Sequence, residues 1–344
     1  MAESTTGVTR SLTTPPPAPN VSAKFRGGLV QWPVLQIVLL IALALWLVIS
    51  IPAILRPNSL KSVLIIAALL ALASLGQTLV VILGGLDLGI PGYILFGAFA
   101  AANLTDPAKV GWPLAVALLV MIAVCGGIGA FVGWASHRYR IQPLVLTLGV
   151  SAMLSGTTLF FSGADISSVP PLELRALTQV QSTTLGIPTP PIVVIVIALG
   201  IVLWLFLSRT AAGRRLYATG VNPRAAGLTL VNTSRIWTLV FALSGVFAGF
   251  AGVFIASFHS GWSQTDGDPY LYSGLAAVIV GGTTFGSIRG SFTRTIIGAL
   301  ILTALSTIIV SNGLAEAQSR IIYGAVILVV VALYSRDRHV RDRF

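Results

Sequence analysis

The residues best suited to chemistry lie in the segment Gly84 to Gly92, which interrupts an apolar stretch of roughly residues 63–104. Its centre is Asp87, between two leucines, and glycines and Pro91 surround it. An ionised Asp at the centre of a membrane helix costs about 2.5–3.5 kcal/mol on insertion scales. Backbone groups freed by glycine and proline are tolerated at membrane depth only beside protein or water. The segment is therefore either a broken helix along a solute path or a cytoplasmic turn in which Asp87 caps the next helix.

The first of these interpretations assigns further residues to the path or its gate. Gln77 lies about two helical turns upstream of Gly84 and would supply a second polar group. The predicted path or gate consists of Gln77, Gly84, Gly85, Asp87 and Gly89.

A second polar segment, Ser208 to Arg235, is rich in arginine. Asn222 before Pro223 is typical of a helix N-cap followed by proline at the first helical position. We therefore expect a short helix in which Ala225 and Ala226 form a small surface for close approach, and which Gly227 limits. The segment is either an ordinary basic loop or a docking element for a motor subunit, formed by Asn222, Pro223, Arg224, Ala225, Ala226 and Gly227.

Several other chemistries are excluded or disfavoured. The single cysteine, Cys125, rules out a disulfide framework and a cysteine-based zinc site. The three histidines lie far apart, and no lysine follows a glycine in the setting of a nucleotide-binding P-loop. No catalytic triad or paired carboxylates stand out. We expect no catalytic residue, metal ligand or cofactor on this chain.

The composition indicates what must position these residues. Of 344 residues, 55% are hydrophobic and 9% are charged, whereas soluble domains average about 25% charged. The sequence therefore predicts an all-α integral membrane protein. The net charge of +11 comes from cations between apolar stretches, which favours membrane topology over nucleic-acid binding.

About ten apolar stretches are long enough, or nearly so, to cross a membrane. The third and eighth are too short to span alone, so we expect them to be tilted, re-entrant or shielded by protein. The stretches are approximately 33–54, 63–84, 90–104, 113–135, 142–162, 191–207, 236–258, 271–282, 294–312 and 319–334.

The distribution of basic residues gives the orientation. With both termini in the cytoplasm and ten crossings, the cytoplasmic side holds most of the 21 Lys and Arg residues, as the positive-inside rule requires. The outside holds only Arg56, Lys61, Lys109, Arg175 and Arg320. We predict a disordered cytoplasmic tail at 1–30, a transmembrane domain at 31–336 and a basic cytoplasmic tail at 337–344.

Glycines suggest both helix packing and a weak internal repeat. Gly126, Gly129 and Gly133, and likewise Gly245, Gly249 and Gly252, recur at helical spacing and are expected at helix contacts. Residues 81–85 resemble residues 278–282, and a further glycine follows each run, at Gly89 and Gly286. Transporters often contain such repeats.

At the two polar segments the sequence resembles the permease subunits of bacterial ATP-binding-cassette (ABC) importers for ribose, xylose and arabinose. The family has a G-G-[IL]-D-L-S motif, here Gly84 to Gly89, in which Gly89 replaces the serine. It also has an E-A-A-x-x-x-G-like coupling loop, here Gly220 to Gly227, in which Arg224 replaces the glutamate. Residues 244–249, 275–283, Gly290 and 297–301 also match, and the likeness extends over roughly residues 60–335.

The resemblance implies a type II-like importer in a bacterial inner membrane. Two permease chains, identical or related, would pack with two ABC ATPase subunits that bind ATP and magnesium. A soluble extracytoplasmic binding protein would deliver the sugar. Membrane lipid is the remaining expected partner, and Arg214, Arg215, Arg224 and Arg235 would contact acidic residues of the motor or anionic lipid headgroups.

Other functions remain open at this point. The same machine could import autoinducer-2, a polyol or a branched-chain amino acid, because specificity resides mostly in the binding protein. An ion-coupled secondary transporter with Asp87 as its ion site is disfavoured, since few other ionisable groups lie within the apolar stretches. A membrane enzyme lacks a positioned acid, base or metal ligand.

The charges on the predicted outer side suggest where the binding protein docks. We expect Arg56, Lys61, Arg175 and Arg320 to form a rim with the acids of the 259–270 loop. Such charges steer association with a partner of complementary charge.

Overall fold

A computed structural model describes residues 34–286, 290–313, 318, 321–325 and 328. In these ranges the regular structure is helical, apart from one isolated bridge between Thr184 and Ile187. A short 3-10 helix, Pro52–Leu55, follows the first α-helix. The α-helices are α1 Val34–Ser50, α2 Pro57–Leu83, α3 Ile90–Ala102, α4 Leu114–Tyr139, α5 Pro143–Ser162, α6 Leu172–Thr178, α7 Pro191–Arg209, α8 Ala211–Val221, α9 Pro223–Leu228, α10 Thr233–His259, α11 Asp268–Val280 and α12 Phe292–Ser311.

Every predicted apolar stretch up to 294–312 corresponds to one of these helices. Within the described residues, 6 helices are long and apolar enough to cross a membrane: α2, α4, α5, α7, α10 and α12. The third and eighth stretches form α3 and α11, helices of 13 residues each. Most of the tenth stretch and both predicted tails lie outside the described residues.

Helix α2 lies at the centre of the molecule. It packs against α10, α11 and α12, and 94% of its most apolar window is buried inside the protein. A helix that is apolar on all sides can be covered in this way by other helices. The two predicted short stretches are shielded by protein as expected, because α3 packs against α4, α5 and α10, and α11 packs against α2 and α12.

Glycines allow the closest helix crossings. A Cβ added at Gly129 or Gly133 on α4 would collide with the backbone carbonyl of Phe241 or Trp237 on α10. Gly252 on α10 meets the Ile94 carbonyl of α3 in the same way. Small residues let backbones approach where no hydrophobic effect drives helices together. The predicted contact role of these glycines is confirmed.

A hydrogen bond between the Thr78 and Thr295 hydroxyls, 2.8 Å long and buried, joins α2 to α12. We expect Thr295→Val to lower stability by about 0.6–1.7 kcal/mol, the range for interhelical hydrogen bonds in membranes. Thermal unfolding in detergent measures this. The control is Thr157→Val, since among the described residues Thr157 is bonded only to the Met153 carbonyl of its own helix. Equal effects of the two substitutions would contradict a role for the interhelical bond.

Candidate functional site

The segment between α2 and α3 is a break in the helical structure, as predicted. Helix α2 ends at Gly84, which adopts a left-handed conformation with φ +91°. The N–H groups of Gly84 and Gly85 donate to the Val81 and Val80 carbonyls, at 3.0 and 2.9 Å. This is a Schellman ending, which favours glycine at the left-handed position. The chain then runs without helical structure until α3 begins at Ile90.

Asp87 lies inside this break and is 1% exposed. Its Oδ1 accepts a hydrogen bond from the Gly89 N–H at 2.8 Å. Its Oδ2 accepts one from the Ser244 hydroxyl of α10 at 2.7 Å. The next residue, Leu88, donates its N–H to the Thr147 hydroxyl of α5 at 3.0 Å. Asp87 and its neighbour thus attach the break to two membrane helices.

The alternative interpretation of Asp87 as a helix cap is wrong in its geometry. The N-cap of α3 is Gly89, and no side chain caps that helix. Asp87 instead accepts from the Gly89 N–H two residues ahead, a local turn that Asp commonly forms. The carboxylate orders the break itself rather than the first turn of α3.

The two helices on either side of the break each carry a further buried polar side chain. Gln77 on α2 and Tyr93 on α3 are 1% and 0% exposed. Within the described residues, neither the Gln77 Oε1 nor the Tyr93 hydroxyl has a hydrogen-bond partner. Buried polar atoms without a partner are rare and are often functional or hydrated. Gln77 is thus a polar group of the protein interior, as expected.

A second break follows α11 and repeats the backbone pattern of the first. Gly282 also has φ +91°, and the N–H groups of Gly282 and Thr283 donate to the Ile279 and Val278 carbonyls. Helices α5 and α10 end with the same hydrogen-bond pattern, so this ending does not test the predicted internal repeat, which stays a prediction. In the predicted alignment Gly84 lies opposite Gly281, whereas the left-handed glycine of the second ending is Gly282.

The two breaks touch each other and the second predicted site. The Gly286 N–H donates to the Val81 carbonyl at 3.1 Å. Gly220, near the end of α8, packs so closely on the Ile82 carbonyl that a Cβ there would collide with it. The Tyr217 hydroxyl of α8 donates to the Gly290 carbonyl at 2.5 Å. A rearrangement of α8 would therefore act directly on both breaks.

The predicted short helix after Asn222 is confirmed. The Asn222 Oδ1 accepts from the Arg224 and Ala225 N–H groups, at 3.1 and 3.0 Å, and α9 follows. The helix extends to Leu228, so Gly227 does not end it.

Of the two alanines expected to form a docking surface on α9, one is not available to a partner. Ala226 is 4% exposed, because it is packed within this chain, while Ala225 remains exposed. The outer surface instead carries Leu228 and Leu230, which are 87% and 96% exposed. The sequence did not predict that these two leucines are exposed, because the segment is too short to show a periodic pattern.

Sequence reasoning also missed the residues that contact Asp87 and the rest of the break. Ser244 belonged to a segment that matched the resembled family, but nothing in the sequence linked it to Asp87. Thr147 and Tyr93 carried no signal at all. Their contact with the break arises from helix packing.

The outer loops contain their own polar contacts. Lys109 and Asp165 form an ion pair at 3.0 Å. Hydrogen bonds from Ser167 and from Lys109 lower the pKa of Asp165 to about 2. Asp266 is engaged within its loop, since it accepts from the Ser263 N–H at 2.8 Å. Of the predicted rim, Arg320 lies outside the described residues.

Comparison with known proteins identifies relatives over most of the chain. The probable ABC transporter permease protein YphD of Escherichia coli K12 is 31% identical over 86% of this chain and 88% of its own. The ribose import permease protein RbsC of Bacillus subtilis is 28% identical over 82% of this chain and 86% of its own. The D-allose transport system permease protein AlsC of E. coli K12 is 27% identical over 83% and 84%. No solved structure matches the chain significantly.

A family model described as the branched-chain amino acid transport system permease component matches residues 59–331. The match includes both breaks, the Asp87 contacts and the capped helix α9. The expected resemblance to importer permeases is confirmed, and this chain belongs to that family of transport-system permease components.

Proposed function

We propose that this chain is the membrane-spanning permease subunit of an ATP-dependent importer that translocates a monosaccharide. The observation that carries the proposal is the direct contact between α8, which leads into the capped helix α9, and both helix breaks. In such a machine a motor must act on the membrane helices through a rigid connection. The names of the ribose and allose permeases among the relatives support a sugar as the solute.

The remaining parts of the machine follow from this role. ATP hydrolysis occurs on separate ABC ATPase subunits, and a second permease chain completes the path. A binding protein delivers the solute outside, where Arg56, Lys61 and Arg175 contribute rim charges. Gln77, Gly84, Gly85, Asp87 and Gly89 shape the translocation path or its gate. The burial of Gln77, Gly85, Asp87 and Gly89 and the hydrogen bonds of Asp87 suit a closed conformation of that gate.

The proposed topology has ten crossings and both termini in the cytoplasm of a bacterial inner membrane. It is supported by the arginines of α8 and α9, which fall on the cytoplasmic side in this arrangement. The loops with Lys109, Asp165 and Asp266 then lie outside.

A second solute has specific support. The autoinducer 2 import system permease protein LsrD of E. coli is 28% identical over 78% of this chain. The furanone signal is therefore the alternative cargo, and it requires no change in the proposed mechanism.

The experiment is reconstitution of the full chain in proteoliposomes with its candidate ATPase and binding protein. We expect ATP-dependent uptake of radiolabelled ribose or allose, stimulated by the binding protein. Autoinducer-2 and a branched-chain amino acid serve as parallel substrates. Uptake driven by an ion gradient without ATP would contradict the proposal.

A further inference from the structure

A surface groove between α4 and α10 lies outside the proposed transport machinery. It has a volume of about 280 Å³ and is lined by Trp134, Ser234, Arg235, Thr238 and Leu239. Gly133 brings the two helices together beside it, at the Trp237 carbonyl. The groove thus lies beside a tight helix crossing.

The end of the groove is basic. The end of α4 is attached to the start of α10 by a hydrogen bond between the His137 Nε2 and the Thr233 hydroxyl, at 2.9 Å. Arg235, on the first turn of α10, forms no ion pair with a carboxylate in the part of the chain that the structure describes. Arg138 and Arg140, at the end of α4, are also exposed. These exposed arginines, at the ends of two helices that pack together, favour an anionic ligand at this end of the groove.

The walls of the groove are apolar and face outward. Trp134 is 40% exposed and Leu239 is 61% exposed. The Trp134 ring also contacts Phe131 and Tyr139, with ring centroids 6.1 and 5.7 Å apart. Trp and Tyr concentrate where a membrane meets water. A free anion would use only the arginine, whereas a phospholipid satisfies both the charge and the apolar wall.

We propose that this groove binds an anionic phospholipid, with its phosphate at Arg235 and Ser234 and an acyl chain along Trp134 and Leu239. The sequence alone left Arg235 open between a motor subunit and a lipid headgroup. The exposed tryptophan and leucine beside it favour the lipid, since a soluble motor would leave them in contact with hydrocarbon or water.

The test is native mass spectrometry of the full chain in detergent, titrated with phosphatidylglycerol. A lysine or arginine near an anionic lipid surface contributes about 1 kcal/mol. We therefore expect Arg235→Gln to bind phosphatidylglycerol about fivefold more weakly than the wild type. The matched control is Arg209→Gln, which removes from the end of α7 an exposed arginine that does not line the groove, and should weaken binding less than Arg235→Gln does.

A second variant tests the contribution of the apolar groove separately from that of the Arg235 charge. Leu239→Trp fills the groove but keeps Arg235, and we expect it to lose phosphatidylglycerol as well. Equal binding by Arg235→Gln and Arg209→Gln would overturn the proposal. The proposal would also be overturned if the wild type retained phosphatidylcholine as well as it retains phosphatidylglycerol. Displacement of the lipid by inorganic phosphate would overturn it too. A disulfide between two copies of a Leu239→Cys variant in membranes would place a second chain in the groove and also overturn it.

Discussion

Uptake should fall to background when Asp87 is replaced with leucine. The substitution leaves the Ser244 hydroxyl and the Gly89 N–H without their acceptor. Each buried donor left unpaired costs about 1–3 kcal/mol, so the two together shift the break away from its present conformation by about 30-fold or more. Transport of the identified solute in proteoliposomes measures the result, with membrane insertion checked by expression level.

Asparagine at the same position separates hydrogen bonding from charge. The amide oxygen of Asp87→Asn can accept from the Gly89 N–H, and its NH₂ group can donate to the Ser244 oxygen. We expect Asp87→Asn to fold normally and to retain part of the uptake. Ser244→Ala should also have an intermediate effect, because it removes only one of the two contacts.

The control for Asp87 is Asp165→Asn, which changes an exposed carboxylate of the outer loops. It should transport at nearly the wild-type rate. Normal uptake by both Asp87→Asn and Asp87→Leu, at normal expression, would remove Asp87 from the path or gate.

Binding of the ATPase should be lost when Leu228 and Leu230 are both replaced with aspartate. These are the most exposed apolar side chains of the segment around α9, at 87% and 96%. The few interface residues that dominate binding cost at least about 2 kcal/mol when truncated, and an aspartate in their place would also be buried without a partner. We therefore expect at least about 30-fold weaker association, measured by co-purification and by binding-protein-stimulated ATP hydrolysis.

An outer-loop leucine provides a matched control. Leu185 is 98% exposed, and like Leu230 it has a positive φ, 50° against 60°. Leu185→Asp thus introduces the same charge at the same kind of backbone position, and should leave ATPase binding intact. Retention of the ATPase by the double variant would place the coupling element in another segment.

Other substitutions in α9 have different expected effects. Ala226→Trp would disrupt the packing of α9 on this chain rather than block docking from outside, because Ala226 is buried. Arg224→Ala should have the smaller effect, since Arg224 is exposed and exposed charges contribute about 0.2–1 kcal/mol. Cross-linking from Ala225 to the ATPase would locate the contact directly.

The local features of this protein were predictable from its sequence. The apolar stretches predicted nine of the helices up to α12, all except α6, α8 and α9, because length and hydropathy decide which segments can cross a membrane. Gly84 and Pro91 predicted the break, and Asn222 with Pro223 predicted the start of α9. These signals involve residues a few positions apart, whose backbone preferences act within one turn.

The site itself was decided by tertiary structure. Asp87 and Ser244 are 157 positions apart, and only the packing of α2, α3 and α10 brings their side chains together. Tertiary structure also decided which glycine ends α11 in the left-handed conformation: Gly282 has a positive φ and Gly281 does not. Burial of Ala226 and exposure of Leu228 and Leu230 likewise depend on how α9 lies against its neighbours. Local sequence carries no information on such partners, because side-chain contacts between helices are set by the arrangement of the whole bundle.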